Sequence, residues 1–150
     1  MGKQSRCAEC AAVWADGQTC ADHFHTMGFW ELEYQLYDVH HLMVLCYHLQ
    51  HPSLYSPEGL EDAKKLLVAF VEEGVSPQAM RKRMSKVTDS GRPKYKIKGT
   101  PDSYGRYARP VEWEMVAADV VRAGIDDYYA IVRTWAELTL RMLRESGNLR

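Results

Sequence analysis

Three thiols near the N-terminus have the spacing of metal ligands. Cys7 and Cys10 form a C-x-x-C, and after nine intervening residues Cys20 opens an apolar-periodic stretch. A C-x-x-C can place two sulfurs on one ion through a tight turn, and a cysteine at a helix N-terminus is favoured as thiolate by the helix dipole. Three cysteines so close together predict a zinc knuckle over residues 1–20. The competing reading, a free redox C-x-x-C, wants a βαβ context that the hydropathy pattern does not offer.

A zinc tetrahedron needs a fourth ligand. All six histidines lie between His23 and His51. His23 follows Cys20 by three, giving C-x-x-C…C-x-x-H. His51 is distant in the chain, but the elements in between bring it back. Helical spacing of Cys20, Phe24, Met27, Trp30 and Tyr34 predicts a helix over 20–34, about 22 Å long. A second helix over 38–51 follows after a short link, capped by Asp38 and stopped by Pro52. So short a link forces an antiparallel return, which sets His51 beside Cys20 and carries His40 and His41 about 20 Å away. His51 is therefore the expected fourth ligand, with His23 as the alternative. Cys46 falls in the second helix's apolar stripe (Val39, Leu42, Met43, Cys46, Leu49) and reads as a buried thiol, not a nucleophile.

At the far end of this helix pair, His40 is expected to face the interior. Its candidate partners are Asp119 and Glu33, with Glu31 also near. Asp119 stands out as an acid within the apolar stretch from Val116 to Val121. A histidine with carboxylates between helices can bind a second metal, do acid–base work, or orient the helices as a satisfied pair. No phosphate loop, nucleophile elbow or H-E-x-x-H is present.

Further along, Ser56-Pro57 starts a third helix that ends at Gly74, and Ser76-Pro77 starts a short fourth running to about Val87. Helices over 111–123 and 127–146 close the chain, the last with the stripe Tyr128, Ile131, Trp135, Leu138 and Met142. Between them, residues 89–110 hold Gly91, Pro93, Gly99, Pro101, Gly105 and Pro110, and are expected to be the most mobile part, with a possible extended arm at Lys94–Lys98. The predicted architecture is all-α: one domain of 150 residues, a compact helical bundle of five or six helices with an N-terminal zinc knuckle and one long basic loop.

The net charge of −1 is unevenly spread: residues 81–109 hold ten of the nineteen Lys and Arg but two of the twenty acids. With Tyr95, Tyr104 and Tyr107 interleaved, this segment could bind nucleic acid or another polyanion. No run approaches the roughly 18 apolar residues of a membrane span, and the first residues lack the apolar core of a signal peptide. Cytoplasmic location, with reduced thiols, is the default expectation.

The C-x-x-C, the cysteine opening a helix, Val39-His40-His41-Leu42, Gln50-His51-Pro52 and Ala118-Asp119-Val120 together resemble a family of small bacterial proteins of unknown function. The resemblance covers most of the chain and is specific at these short motifs. It implies Cys7, Cys10, Cys20 and His51 as the featured set, with His40 as a further site of interest. His41 and the basic segment depart from the pattern, and no established activity comes with it. Three functional classes follow from the sequence. The first is a structural-zinc binding or adaptor module for an undefined protein or small molecule. The others are a metal-dependent helical-bundle enzyme at His40 and a nucleic-acid or polyanion binder through residues 81–109.

Overall fold

The computed structural model describes residues 5–14, 17–76, 78–79, 82 and 98–149. The expected short helix between Ser76 and Val87 falls largely outside these residues, as does the 89–97 part of the basic loop. The fold is all-α apart from one small antiparallel hairpin, in which β1 (Ser5–Arg6) pairs with β2 (Val13–Trp14) in the register Ser5 to Trp14 and Arg6 to Val13. Five α-helices follow among the described residues: α1 (Cys20–Glu33), α2 (His40–Leu49), α3 (Pro57–Val71), α4 (Ala117–Ala123) and α5 (Tyr128–Glu145). None of them is long and apolar enough to cross a membrane.

Local chemistry explains where the first helices start. Thr19 accepts from the Asp22 N–H, and Asp22 reaches back to the Thr19 N–H, a reciprocal capping box that opens α1 at Cys20. Ser56 caps α3 through the Gly59 N–H, with Pro57 at the first position, where its missing N–H costs nothing. Helix α2 starts later than predicted. A 3₁₀ turn over Tyr37–Val39 precedes it, and Asp38 lies in that turn instead of capping the helix.

Helix α2 is central and packs on α1, α3 and α5, while α4 covers α1. Met27, Leu42, Met43, Leu49, Leu67, Val132 and Trp135 are fully buried, each worth roughly 1.5–3 kcal/mol of apolar transfer. The buried face of α5 includes Tyr128, Val132, Trp135, Thr139, Met142 and Leu143; Val132 and Thr139 take the places expected of Ile131 and Leu138, which are half-buried. Thr139 tolerates the interior because its hydroxyl donates to the Trp135 carbonyl at 2.7 Å.

One expectation needs correction, and the described part of a segment expected to be mobile proves to be hydrogen-bonded. Residues 111–116 are not helical. The Met115 carbonyl accepts from Gln50 Nε2 at 2.7 Å and Trp135 Nε1 at 3.1 Å, so core side chains take the bonds that a helix would have supplied. In addition, the described part of the basic loop is not free. Gly99 N–H donates to the Leu54 carbonyl, Gly105 N–H to the Tyr55 carbonyl, and the Tyr107 hydroxyl to the Leu49 carbonyl. Residues 98–107 thus form a strap across the turn that follows α2. Glycine is needed for this close approach: a Cβ at Gly99 would lie 2.3 Å from the Ser53 carbonyl oxygen, and one at Gly105 2.8 Å from that of Pro52.

Candidate metal centre

Three pieces of the chain converge at one end of the helix pair. The turn between β1 and β2 carries Cys7 and Cys10. It is closed by Cys7 N–H to the Ala12 carbonyl and Ala11 N–H to the Cys7 carbonyl, with Ala11 at φ 63°. Cys20 is the first residue of α1, and His51 follows the end of α2. Their ligand atoms all lie within 4.8 Å of one another, and all four residues are buried. Cys10 and Cys20 Sγ are 3.5 Å apart, the Cys10 N–H points at Cys7 Sγ at 3.5 Å, and Trp14 Nε1–H donates to Cys20 Sγ at 3.3 Å.

The orientation of His51 is informative. Its Nδ1 lies 2.7 Å from the Tyr47 carbonyl, which can only accept, so Nδ1 holds the proton and Nε2 presents a lone pair. That Nε2 is buried and has no hydrogen-bond partner. A buried orphan of this kind costs about 1–3 kcal/mol unless something else satisfies it. The ring stacks near Tyr47 at 4.4 Å, and Tyr47 on Phe24 at 4.4 Å, which hold the imidazole in place.

Electrostatics point the same way. Cys7 is drawn far below the usual thiol range by hydrogen bonds from Cys10 and Cys20, against the effect of burial. Cys10 is pushed far above it by Cys20 and Cys7. Three sulfurs this close cannot all ionise without a positive charge among them. Burial works against a charged His51, yet the neighbouring Cys20 and Cys7 and the Tyr47 carbonyl carry its pKa up to about 10, so a proton and a metal ion compete for the Nε2 lone pair. A cation among the three sulfurs would relieve their repulsion.

The other predicted residues fall elsewhere. His23 is not in the cluster. It is buried, its basicity lowered by that burial and by Arg122 of α4, against the pull of Asp22. His40 is half-exposed instead of interior, and its partner is neither Asp119 nor Glu33. Nδ1 lies 2.6 Å from Oε1 of buried Glu31, whose second oxygen accepts from the buried Tyr128 hydroxyl. Asp119 sits in the first turn of α4, accepting from the Val116 N–H at 2.9 Å and facing Arg122 at 3.5 Å. Its place among apolar residues is a helix start, not a buried face. Glu33 is exposed at the last position of α1. Cys46 is fully buried and its thiol is pushed up by desolvation, in keeping with a packing role.

Sequence reasoning passed over Trp14, the Tyr47 carbonyl and Tyr128. The four-residue spacing of Tyr47 and His51 was a usable signal, because a helix end directs an imidazole N–H toward the carbonyl one turn earlier. Trp14 and Tyr128 gave none, being placed by the hairpin and by α5.

The architecture and the cluster define a small helical protein with a possible metal site of three thiols and one imidazole. Residues 5–144 match the model of a family of unknown function (DUF5946), and the chain belongs to that family. No curated protein and no solved structure matches the chain.

Proposed function

We propose that Cys7, Cys10, Cys20 and His51 hold one zinc ion, and that its role is structural, in a protein that works as a binding module. The orphaned Nε2 of His51, aimed among three buried thiols, carries this reading. The donor set suits zinc. Tetrahedral zinc with bonds of about 2.3 Å holds its sulfurs about 3.8 Å apart, near the 3.5 Å between Cys10 and Cys20. An iron–sulfur cluster, with its own iron and sulfide atoms inside the cage, needs more widely separated thiolates. Four protein ligands leave no open position for a substrate, which is the pattern of structural rather than catalytic zinc. The ion would join the N-terminal hairpin, the start of α1 and the turn after α2.

The test is metal analysis of the purified protein by mass spectrometry, with the variant Cys7→Ser/Cys10→Ser alongside. One zinc per chain, lost in the variant together with stability, is expected, since binding and folding of such sites are coupled. Stoichiometric metal retained by the variant overturns the reading.

A second reading, acid–base chemistry at His40, has one observation behind it. Buried Glu31 orients Nδ1 and leaves the half-exposed ring's other nitrogen available. Its test is His40→Ala, which should leave zinc content unchanged.

A further inference from the structure

Against the metal centre lies a cavity of about 310 Å³, lined by Glu9 of the knuckle, Pro52 after the candidate ligand His51, and Tyr104, Arg106, Tyr107, Arg109 and Trp113 of the strap and its continuation. The volume is at the lower end for small-molecule sites, roughly 300–1,000 Å³. We propose that this cleft binds a nucleotide unit, its base against the aromatic wall and its phosphate on Arg106 and Arg109. The inference rests on the binding-module reading and supplies the ligand's chemical class.

The aromatic wall is built before any ligand arrives. Tyr107 is fixed by its hydroxyl on the Leu49 carbonyl and lies edge-on to Trp113 at 6.0 Å. Tyr104 and Tyr107 are half-buried, so part of each side chain remains accessible. The strap that carries them is pinned through Gly99 and Gly105. Aromatic faces that need no reordering bind bases without sequence preference.

The cations are not neutralised: Arg106 donates to the uncharged Tyr104 hydroxyl, and among the described residues neither Arg106 nor Arg109 is spent on a carboxylate. Arg122, Arg141 and Arg144 each face a carboxylate, whereas Arg106 and Arg109 have no acidic partner among the described residues. The Arg106 guanidinium lies 4.7 Å from the Tyr104 ring centre, and both arginines are exposed. Arg109 is anchored at its backbone, its N–H donating to Asn148 Oδ1 at 3.1 Å and its carbonyl accepting from Asn148 Nδ2 at 2.9 Å. The run Tyr104-Gly-Arg106-Tyr107-Ala-Arg109 thus alternates rings and charges along one strap, as single-strand binders do. Glu9 gives the cleft polarity. Its carboxylate accepts from the Ser53 N–H at 3.0 Å, so a phosphate is repelled there and drawn to the arginines. A ligand anionic at one end and flat at the other satisfies both walls; a uniformly anionic polymer does not.

The unit could come from a free nucleotide or from a single strand, and the experiment separates them. Zinc-loaded full-length protein is titrated with fluorescein-labelled dT15, and AMP, inorganic phosphate, poly-glutamate and duplex DNA serve as competitors. For a single strand, anisotropy should rise with a salt-dependent affinity. Arg106→Ala/Arg109→Ala should weaken binding by roughly tenfold and lower the log–log salt slope by about 1.4. Trp113→Phe should weaken it less and remove part of the tryptophan quenching. For a free nucleotide, AMP should bind directly, by quenching of Trp113, and dT15 no more tightly. Zinc content, read on the same samples, should be unchanged in both arginine and tryptophan variants, and melting temperature unchanged in the arginine variant. Should the arginine pair prove unstable, Arg106→Glu alone, at an exposed position, gives the same reading. No binding of dT15 or AMP at low salt, binding indifferent to the arginines, or equal competition by poly-glutamate or phosphate overturns the proposal. Zinc absent with binding intact counts against the zinc reading alone; zinc present without binding counts against the cleft alone.

Discussion

His51 is distinguished by what its two ring nitrogens do. Nδ1 is committed to the Tyr47 carbonyl, and Nε2 is left buried without a partner. His51→Ala should therefore abolish stoichiometric zinc, while His23→Ala should keep it; metal analysis of the two variants decides between the histidines. Trp14 supports the site from outside through Cys20 Sγ. Outer-shell partners of this kind change metal affinity by about 10–100-fold, so Trp14→Phe should weaken zinc by that order in a chelator competition. His40 makes a separate, pH-dependent contribution. Its hydrogen bond to Glu31 raises its pKa, against the effect of burial. A histidine whose folded pKa exceeds its unfolded value, about 6.5, stabilises fully below that value, and the contribution is lost as pH rises through the folded pKa. Glu31→Gln should remove this dependence, returning the His40 titration toward about 6.5 by NMR. An unchanged titration would show that Glu31 does not set it.

Among the elements, the strap makes the sharpest demand on sequence. Its glycines let the backbone of 98–107 approach the turn that bears His51. Gly99→Ala sets a methyl against the carbonyl oxygens of Ser53 and Tyr55, at 2.3 and 2.6 Å. Backbone cannot give way as a flexible side chain can, so the variant should lose about 1–3 kcal/mol in denaturant unfolding. Gly28→Ala makes a useful control, because a Cβ there meets nothing within 4 Å and alanine is the better helix former. Equal stability of Gly99→Ala and the parent would mean that the strap does not hold this position in solution.

For the molecule as a whole, the proposed ion joins three segments that also meet through the Glu9–Ser53 and Trp14–Cys20 hydrogen bonds: the hairpin, the start of α1 and the turn after α2. The apolar core is centred on α2, α3 and α5 and extends to the buried cysteines at that junction. Chelation should therefore lower the melting temperature and expose amides of residues 5–14 and 49–55 to hydrogen exchange first, while α3 and α5 stay protected longest. Acid should act in the same direction, since thiols and imidazole must lose protons to bind metal; retention measured from pH 7 to 4 should fall as pH falls. Uniform loss of protection across all helices would place the ion's contribution in the core instead.

The sequence by itself determined what is local. The C-x-x-C, the Thr19 and Ser56 caps, the apolar stripe of α2 and the stop at Pro52 need only neighbours within a turn or two of the chain, so they were legible from residue order. The meeting of Cys20 and His51 was legible at one remove, because a short link leaves a helix pair few ways to return. Tertiary structure decided the rest. Residues 111–116 leave the helical pattern because Gln50 and Trp135 compete for the Met115 carbonyl, and those two lie 65 and 20 residues away. His40 pairs with Glu31, not with Asp119 or Glu33, because Tyr128 of α5 secures the second carboxylate oxygen and keeps that acid inside. The strap's glycines marked it as a loop in the sequence. Their need for close approach became visible only with the Ser53 and Pro52 carbonyls in place, since steric exclusion is a property of the pair and not of the residue.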